Sequence, residues 1–220
     1  MTAPSGEHDR PKRPVVVPVI GLVLATAAGV TALLGGLNEV PDAPPQLAKG
    51  AVLDQGQFKT RFVDAVVSTQ RAPQPAEPDR RFLEVTFDVT NQGERTAAVG
   101  IPPQRPESAF SGTTFAGSLV KITPGFAPES GPFVFALSEG VESRQLHPGV
   151  ATTVVLRYRL EPEVKVPDKI VFDVAGFEYT AGFQDPDLNW RMVSTEEAEN
   201  TFVPEVKAQV TLPVTVREPV

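Results

Sequence analysis

The most regular pattern in the chain is an alternation of apolar and polar residues within residues 80–95, RRFLEVTFDVTNQGER. Because successive side chains of a β-strand point to opposite faces, the apolar residues share one face. That face consists of Leu83, Val85, Phe87 and Val89. The pattern predicts a strand with one face on a core and the other in water, as in an antiparallel sheet. Asn91-Gln92-Gly93 tolerates positive φ, which predicts a turn there rather than a functional site.

Shorter apolar or alternating runs recur at residues 51–69, 133–137, 146–160 and 169–183, separated by segments rich in proline and glycine. The run at 146–160 is the best predicted partner of the first strand, because it alternates in the same way. The apolar faces of the last two runs contain Val154, Leu156, Tyr158 and Leu160, and then Ile170, Phe172 and Val174. Seven or eight short strands without a long helix predict an all-β, Ig-like antiparallel β-sandwich over residues 50–183.

Residues 184–220 form a predicted C-terminal extension with a different pattern. Ser194 and Glu197 have the spacing of a helix capping box, which predicts a short helix within residues 185–200. Apolar residues then alternate over residues 206–216, which predicts a strand, and Pro213 restricts that strand to a sheet edge. The strand either completes the sandwich or adds to the sheet of a partner chain, and we expect the former.

Residues 15–37 contain no charged residue, and as a helix they would span about 34 Å, enough to cross a bilayer. Basic residues lie just before this run and acidic residues just after it, namely Arg10, Lys12 and Arg13, then Glu39 and Asp42. The positive-inside rule therefore predicts a single-pass transmembrane helix in the cell membrane. Residues 1–14 would form a cytoplasmic tail, and everything after residue 37 would be extracytoplasmic.

A cleaved signal peptide is the alternative for this segment. Ala25-Thr26-Ala27 has the small residues of a cleavage site, but the apolar run continues to Leu37, beyond a usual signal sequence. We therefore expect an uncleaved anchor, and both alternatives place the following domain outside the cytoplasm. Residues 38–49 are rich in proline and predict an extended stalk between the anchor and the domain.

Composition and charge exclude several classes of function. The hydrophobic fraction of 41% is sufficient for a folded core. The formal net charge of -7 argues against nucleic-acid binding, which needs a clustered positive surface. The sequence contains no Cys, which excludes disulfides, thiolate catalysis and lipid attachment through cysteine, and it offers no ligand set for soft metals.

The stretches RRFLEVTFDVTNQGE, FVFALSEG, LHPG, VLRYRLE and KIVFDV follow one another in an order that suggests a family. Together they resemble exported Ig-like β-sandwiches of unknown function, found in lipoproteins and membrane-anchored envelope proteins of Gram-positive, actinobacterial-type bacteria. The resemblance covers residues 50–183 and implies a fold and a location, but no catalytic residue. The chain departs from the lipoproteins of this group because it has no lipid-bearing Cys, and residues 15–37 would anchor it instead.

Few residues of the chain are suited to catalysis. His8 lies in the predicted cytoplasmic tail and His147 lies in a His-Pro-Gly turn, so no Ser-His-Asp arrangement is indicated. Acidic residues are plentiful, but a cleft for sugars needs aromatic walls, and Trp190 is the only tryptophan. We therefore predict no enzymatic activity and no cofactor.

Four residues form a candidate metal site: Asp185, Asp187, Asn189 and Glu196. Their spacing matches the oxygen ligands of a calcium-binding loop, with Glu196 at the twelfth position. Trp190 stands at the sixth position, where such a loop needs Gly. A polar loop that caps a short helix explains the same residues without a metal, so calcium binding is an alternative here and not the main prediction.

The anchor, the stalk and the lack of catalytic groups predict a non-enzymatic envelope protein that works by protein–protein contact. One such role is that of an accessory subunit of a membrane complex, and the alternative is a module that binds or senses an envelope ligand or calcium. Two polar strand faces carry charges, Thr86/Asp88/Thr90 and Thr153/Arg157/Arg159. We expect these faces to form cross-strand ion pairs on a solvated sheet rather than a recognition surface.

Overall fold

The computed structural model describes residues 43–72, 79–109, 112–138, 140–161, 163–182, 186–198 and 201–217. These residues are all-β apart from three short 3₁₀ turns at Pro106–Ser108, Ala116–Ser118 and Pro128–Ser130. The strands, in chain order, are β1 (Gln46–Ala48), β2 (Val52–Asp54), β3 (Phe58–Gln70), β4 (Arg80–Asn91), β5 (Ala97–Ala98), β6 (Leu119–Thr123), β7 (Phe133–Ser138), β8 (Val141–Ser143), β9 (Gln145–Leu146), β10 (Ala151–Leu160), β11 (Lys169–Ala175), β12 (Phe177–Ala181), β13 (Leu188–Met192), β14 (Ser194–Ala198), β15 (Thr201–Pro204) and β16 (Val206–Val216).

Ten of the described strands form one sheet, in the order β6-β11-β16-β3-β4-β10-β7-β8, with β1 beside β16 and β2 beside β3. This sheet has two layers that share β16. Residues 206–213 of β16 pair antiparallel with β11, and residues 214–216 pair parallel with β3. Between the layers, the rings of Phe87 and Phe172 meet edge to face with their centroids 5.7 Å apart. The fold is a β-sandwich.

The core faces predicted from the alternation are confirmed. The four apolar residues of β4 are fully buried, and β10 is its antiparallel partner, as predicted. The predicted inward residues of β10 and β11 are buried as well. Phenylalanine rings from several strands extend this core through edge-to-face contacts, and these rings belong to Phe58, Phe62, Phe115 and Phe177. The sandwich is therefore held together mainly by aromatic and aliphatic packing between its layers.

The charged outer faces of the strands form cross-strand pairs, as predicted. Arg157 Nε of β10 lies 2.8 Å from Glu84 Oε1 of β4. On the other side of β4, Arg61 of β3 pairs with Asp88, which lies opposite it. Thr153 Oγ1 donates a hydrogen bond of 3.2 Å to Asp88 Oδ1. Strand pairing therefore explains Glu84, Asp88 and Arg157, whereas Arg159 lies nearest to Glu161, two residues along the chain, with Nε and Oε1 3.7 Å apart.

The prediction that the C-terminal strand lies at a sheet edge is wrong. β16 lies between β11 and β3, and β1 also pairs with it in parallel. Pro213 falls at the end of the ladder with β11, opposite Lys169, where the strand passes to its next neighbour. Because the missing N–H of proline falls at this change of partner, it interrupts neither ladder. Residues 206–216 therefore complete the sandwich, as expected.

The short helix predicted within residues 185–200 is also wrong, because β13 and β14 lie there. β13 pairs with β12 over five residues, with Trp190 opposite Tyr179. An isolated short helix is weakly stable in water, so the capping-box spacing of Ser194 and Glu197 does not outweigh this pairing. Residues 50–183 also contain eleven described strands, β2 to β12, rather than the predicted seven or eight, since segments as short as β5 show no periodicity.

The compact unit that contains the sandwich runs from Pro44 to Val220. It begins within the predicted stalk, because β1 pairs with residues 209–211 of β16. The predicted tail (1–14) and transmembrane helix (15–37) lie outside the described residues. Among the residues that are described, no helix has the length and hydrophobicity to cross a membrane.

Candidate functional site

A groove of about 1090 Å³ lies between the β12–β13 hairpin and the segment that follows β4. One wall consists of residues 92–98, and the opposite wall includes Tyr179 and residues 188–192. Ser194 and Phe202 extend it on the side of the β14–β15 hairpin. Its volume is at the upper end of the range found for binding pockets in proteins, so it can accept a sizeable ligand.

Asn91 holds the first wall in place. This side chain is fully buried at the end of β4, and its Nδ2 donates hydrogen bonds to the carbonyl oxygens of Arg95 (2.7 Å) and Leu146 (3.0 Å). Its Oδ1 accepts a bond of 2.9 Å from the Gly93 N–H. The chain therefore turns at Asn-Gln-Gly as predicted, but through the bond to the Asn91 side chain and not through a positive φ, since Gly93 does not have one. Gln92 and Gly93 also line the groove, and the prediction that this turn is not a functional site stays a prediction.

Gln92 connects this wall to the turn between β2 and β3. Its Nε2 donates to Asp54 Oδ1 (3.0 Å) and to the Gly56 carbonyl oxygen (2.7 Å). Asp54 Oδ1 also accepts a bond of 2.9 Å from the Gly56 N–H. The bond from Gly56 holds the pKa of the Asp54 carboxyl below its ordinary value. Partial burial raises this pKa, and the bond from Gln92 lowers it further.

Gly56 allows the second wall of the groove to pack closely against the β2–β3 turn. Its φ is +91°, and a Cβ at this position would clash with the carbonyl oxygen of Phe177. The Phe177 N–H in turn donates to the Gln55 carbonyl oxygen at 2.6 Å. The start of β12 is therefore fixed directly against the β2–β3 turn, and only glycine fits between them.

The second wall presents two aromatic side chains to the groove. Tyr179 and Trp190 lie opposite each other in the β12–β13 ladder, with ring centroids 5.2 Å apart and planes inclined by 50°. Tyr179 is 54% exposed, whereas the other tyrosine of the chain, Tyr158, is 4% exposed and belongs to the core. A Cβ on Gly93 would come within 2.9 Å of Trp190 Nε1, so this glycine gives space to the indole. Tyr and Trp at a surface are typical of binding sites, since they combine a large apolar area with a polar group.

Two arginine side chains add positive charge to the groove, Arg95 from the first wall and Arg191 from the second. Both are exposed, and neither forms an ion pair with any residue that the structure describes. Glu94 is the one carboxylate among the described lining residues. The groove is thus locally cationic in a chain whose formal net charge is -7.

Gln57 is a buried polar residue in the lining of the groove. It is 7% exposed, and its Oε1 accepts no hydrogen bond within the described part of the chain. A buried acceptor without a partner is costly, so such groups in native proteins call for a partner that is supplied from elsewhere.

The predicted calcium ligands are only partly within the described residues. Asp187 lies in the bend before β13, Asn189 lies in β13 and Glu196 lies in β14, whereas Asp185 is outside the described residues. Asn189 Nδ2 donates to the Asp187 carbonyl oxygen at 3.2 Å, and Asn189 lines the groove. No group of three or more His, Asp or Glu side chains suited to a metal occurs among the residues described. The calcium site stays a prediction.

The sequence does not identify the groove, because it predicts its residues only in other roles: Asn189 as a metal ligand, Gln92 and Gly93 as turn residues, and Ser194 as a helix cap. Tyr179 and Trp190 flank a segment that contains Gly182 and Pro186, and a hairpin at that segment would have placed the two rings side by side. His147, which was expected to be an exposed turn residue, is exposed, and its Nδ1 lies 3.1 Å from Thr96 Oγ1.

Comparison with known proteins gives one structural likeness. None of the protein-family models matches the chain. None of the curated proteins matches it either. The chain is similar to a solved structure of an uncharacterized β-sandwich protein from Clostridium difficile 630, with a TM-score of 0.39 and 9% sequence identity over 71% of this chain and 98% of that chain. The assignment of this chain as a β-sandwich therefore rests on its own strand pairing and core.

Proposed function

We propose that the protein is a non-enzymatic module of the cell envelope that binds another protein through this groove. The observation that carries the proposal is the Tyr179–Trp190 pair, an exposed tyrosine beside a half-buried tryptophan, flanked by two arginines that form no ion pair with a described residue. Binding energy at protein interfaces is concentrated in Trp, Tyr and Arg side chains that cluster in one pocket. The groove brings all three types together.

The chemistry of the lining supports binding rather than catalysis. Among the described lining residues there is no histidine, and Glu94 is the single carboxylate. Glycoside hydrolysis uses a pair of carboxylates, and a serine or threonine nucleophile needs an adjacent base. A groove with an exposed tyrosine, a half-buried tryptophan and no such pair is suited to holding a ligand without transforming it.

The proposed location rests on the sequence. Residues 15–37 would anchor the chain as a single transmembrane helix with the N-terminus in the cytoplasm. The sandwich would then be an Ig-like domain outside the cytoplasm, of the kind that the chain resembles in envelope proteins of Gram-positive bacteria. In this arrangement the protein acts as an accessory subunit whose partner is another envelope protein.

Site-specific photo-crosslinking in the native membrane tests the proposed function. A photoreactive phenylalanine derivative in place of Tyr179 is expected to give an adduct of one defined mass. The matched control carries the same derivative in place of Val141, an exposed residue of β8 that does not line the groove, and is expected to give little or none of it. Adducts of equal yield at both positions, or none at Tyr179, would overturn the proposal.

A further inference from the structure

The groove is bordered by the edge of a strand as well as by side chains. β13 contributes all five of its residues to the lining, Leu188–Met192, whereas β12 contributes Tyr179 alone. Because alternate side chains of a strand point to opposite faces, five consecutive lining residues indicate that the groove runs along the edge of the strand. The backbone of β13 is therefore exposed to whatever binds there.

This edge of β13 has no strand beside it in the described part of the chain. β13 pairs with β12 on one side and belongs to a two-stranded sheet. Outside that ladder, the backbone groups of residues 188–192 form no hydrogen bond with another described backbone group. An unpaired row of N–H and C=O groups is a template for an added strand.

The charges and rings beside this edge indicate which side chains an added strand would carry. Arg191 lies on β13, across the ladder from Glu178, and Arg95 lies on the facing wall next to Glu94, but neither guanidinium group forms an ion pair with a described carboxylate. Tyr179 and Leu188 offer exposed apolar surface beside them. Carboxylates on the bound strand would complement the guanidinium groups, and apolar side chains between them would pack on the rings.

Building on the proposed function, we infer that the partner inserts an extended acidic segment that adds to the free edge of β13 as a third strand. Its backbone pairs with residues 188–192, its carboxylates face Arg95 and Arg191, and an apolar side chain packs on Trp190. A hydrogen-bond donor on this segment would also pair with Gln57 Oε1. A polysaccharide could use the two rings, but it has no backbone N–H ladder with which to pair the strand edge.

Selection from displayed peptides tests this inference with the whole 220-residue chain kept in detergent. Random peptides of about ten residues are long enough to form one strand. The enriched peptides are expected to alternate Asp or Glu with apolar residues. Because Trp190 is the only tryptophan, its fluorescence reports binding at the groove directly when a selected peptide is titrated.

Two sets of controls separate charge from strand pairing. The double variant Arg95→Gln/Arg191→Gln is expected to weaken peptide binding roughly tenfold. The matched variant Arg105→Gln/Arg144→Gln removes two exposed arginines that do not line the groove, and it should bind like the wild type. Alternate backbone N–H groups of the peptide point to opposite edges of the added strand. Methylation of the set that faces β13 should abolish binding, and methylation of the other set should leave binding unchanged.

Other results would overturn the inference. Equal tolerance of both methylated sets would exclude strand addition, and enrichment of peptides without acidic residues would exclude the charge argument. If no peptide binds while crosslinks at position 179 persist, the inference of an extended acidic segment is wrong and the proposed function stands. If an envelope oligosaccharide shifts the Trp190 fluorescence, and neither peptides nor crosslinks are found, both proposals are wrong.

Discussion

Two glycines determine how closely the walls of the groove approach each other. Gly56 touches the backbone of β12 at Phe177, and Gly93 lies beneath the indole of Trp190. Both contacts join segments that are distant in the sequence. The position of the aromatic pair therefore depends on residues that have no side chain of their own.

Substitution of Gly56 tests this dependence. Gly56→Ala is expected to lower the free energy of unfolding by more than the roughly 1–2 kcal/mol that a left-handed φ costs a residue with a Cβ, because the Phe177 carbonyl oxygen must also move. Gly50→Ala is the matched control, since its φ is +83° with no atom within 4 Å of the added Cβ. Urea unfolding measures both, and the Trp190 fluorescence should change only for Gly56→Ala. Equal losses of stability would contradict the proposed contact.

Asp54 makes the stability of this wall dependent on pH. Its pKa lies below the ordinary value of 3.8, chiefly because it accepts the Gly56 N–H bond. A depressed carboxyl pKa contributes stability above the pKa of the unfolded state, and this contribution is lost as the pH falls through the folded-state pKa. Asp54→Asn should therefore be less stable than the wild type at neutral pH, and the two should converge below the folded-state pKa. A difference in urea midpoint that stays constant with pH would contradict this.

At the level of strands, β4 is the central element of the core. It pairs with β3 on one side and β10 on the other, and its ring Phe87 contacts Phe62, Phe115 and Phe172. Phe62 belongs to the same layer as β4 and Phe172 to the other layer, so the Phe87 side chain connects the two layers. The strand that is most evident in the sequence is thus also the one on which the packing depends.

Truncation of Phe87 tests the role of β4. Phe87→Ala is expected to lower the free energy of unfolding by about 3–5 kcal/mol, because the ring is fully buried and leaves a cavity. Thr86→Ala, the adjacent residue on the outer face, should cost under about 1 kcal/mol. Thermal or urea unfolding compares the two, and similar losses would mean that Phe87 does not have this place in the core.

The strands differ in how far the sequence predicts them, and the difference follows their environment. β4, β10 and β11 are predictable because each buries one face, which imposes a strict alternation on residues such as Val85 and Phe172. The spacing of Ser194 and Glu197 predicts a helix where β13 and β14 lie, because this signal is local, whereas cross-strand pairing with β12 and β15 determines the structure. Pro213 suggested an edge strand because a change of pairing partner within one strand leaves no local signal.

For the whole molecule, the groove is the feature that the sequence could not predict. It is lined by Gln57, residues 92–98, residues 112–114, Tyr179, residues 188–192, Ser194 and Phe202, so segments that are distant in the sequence must first fold together. Each of its residues also has an ordinary role when it is considered alone, as a turn glycine, a surface arginine or a polar strand residue. Only the folded structure shows that Arg95, Trp190 and Arg191 line the same groove.

The most direct test of binding through this groove is charge reversal in the native membrane. A chain with the photoreactive group at position 179 and the substitutions Arg95→Glu and Arg191→Glu is expected to lose most of its adduct, because like charges would face the acidic partner. The same chain with Arg105→Glu and Arg144→Glu, which changes the net charge equally away from the groove, should keep the adduct. Equal adduct yields from the two variants would contradict the account.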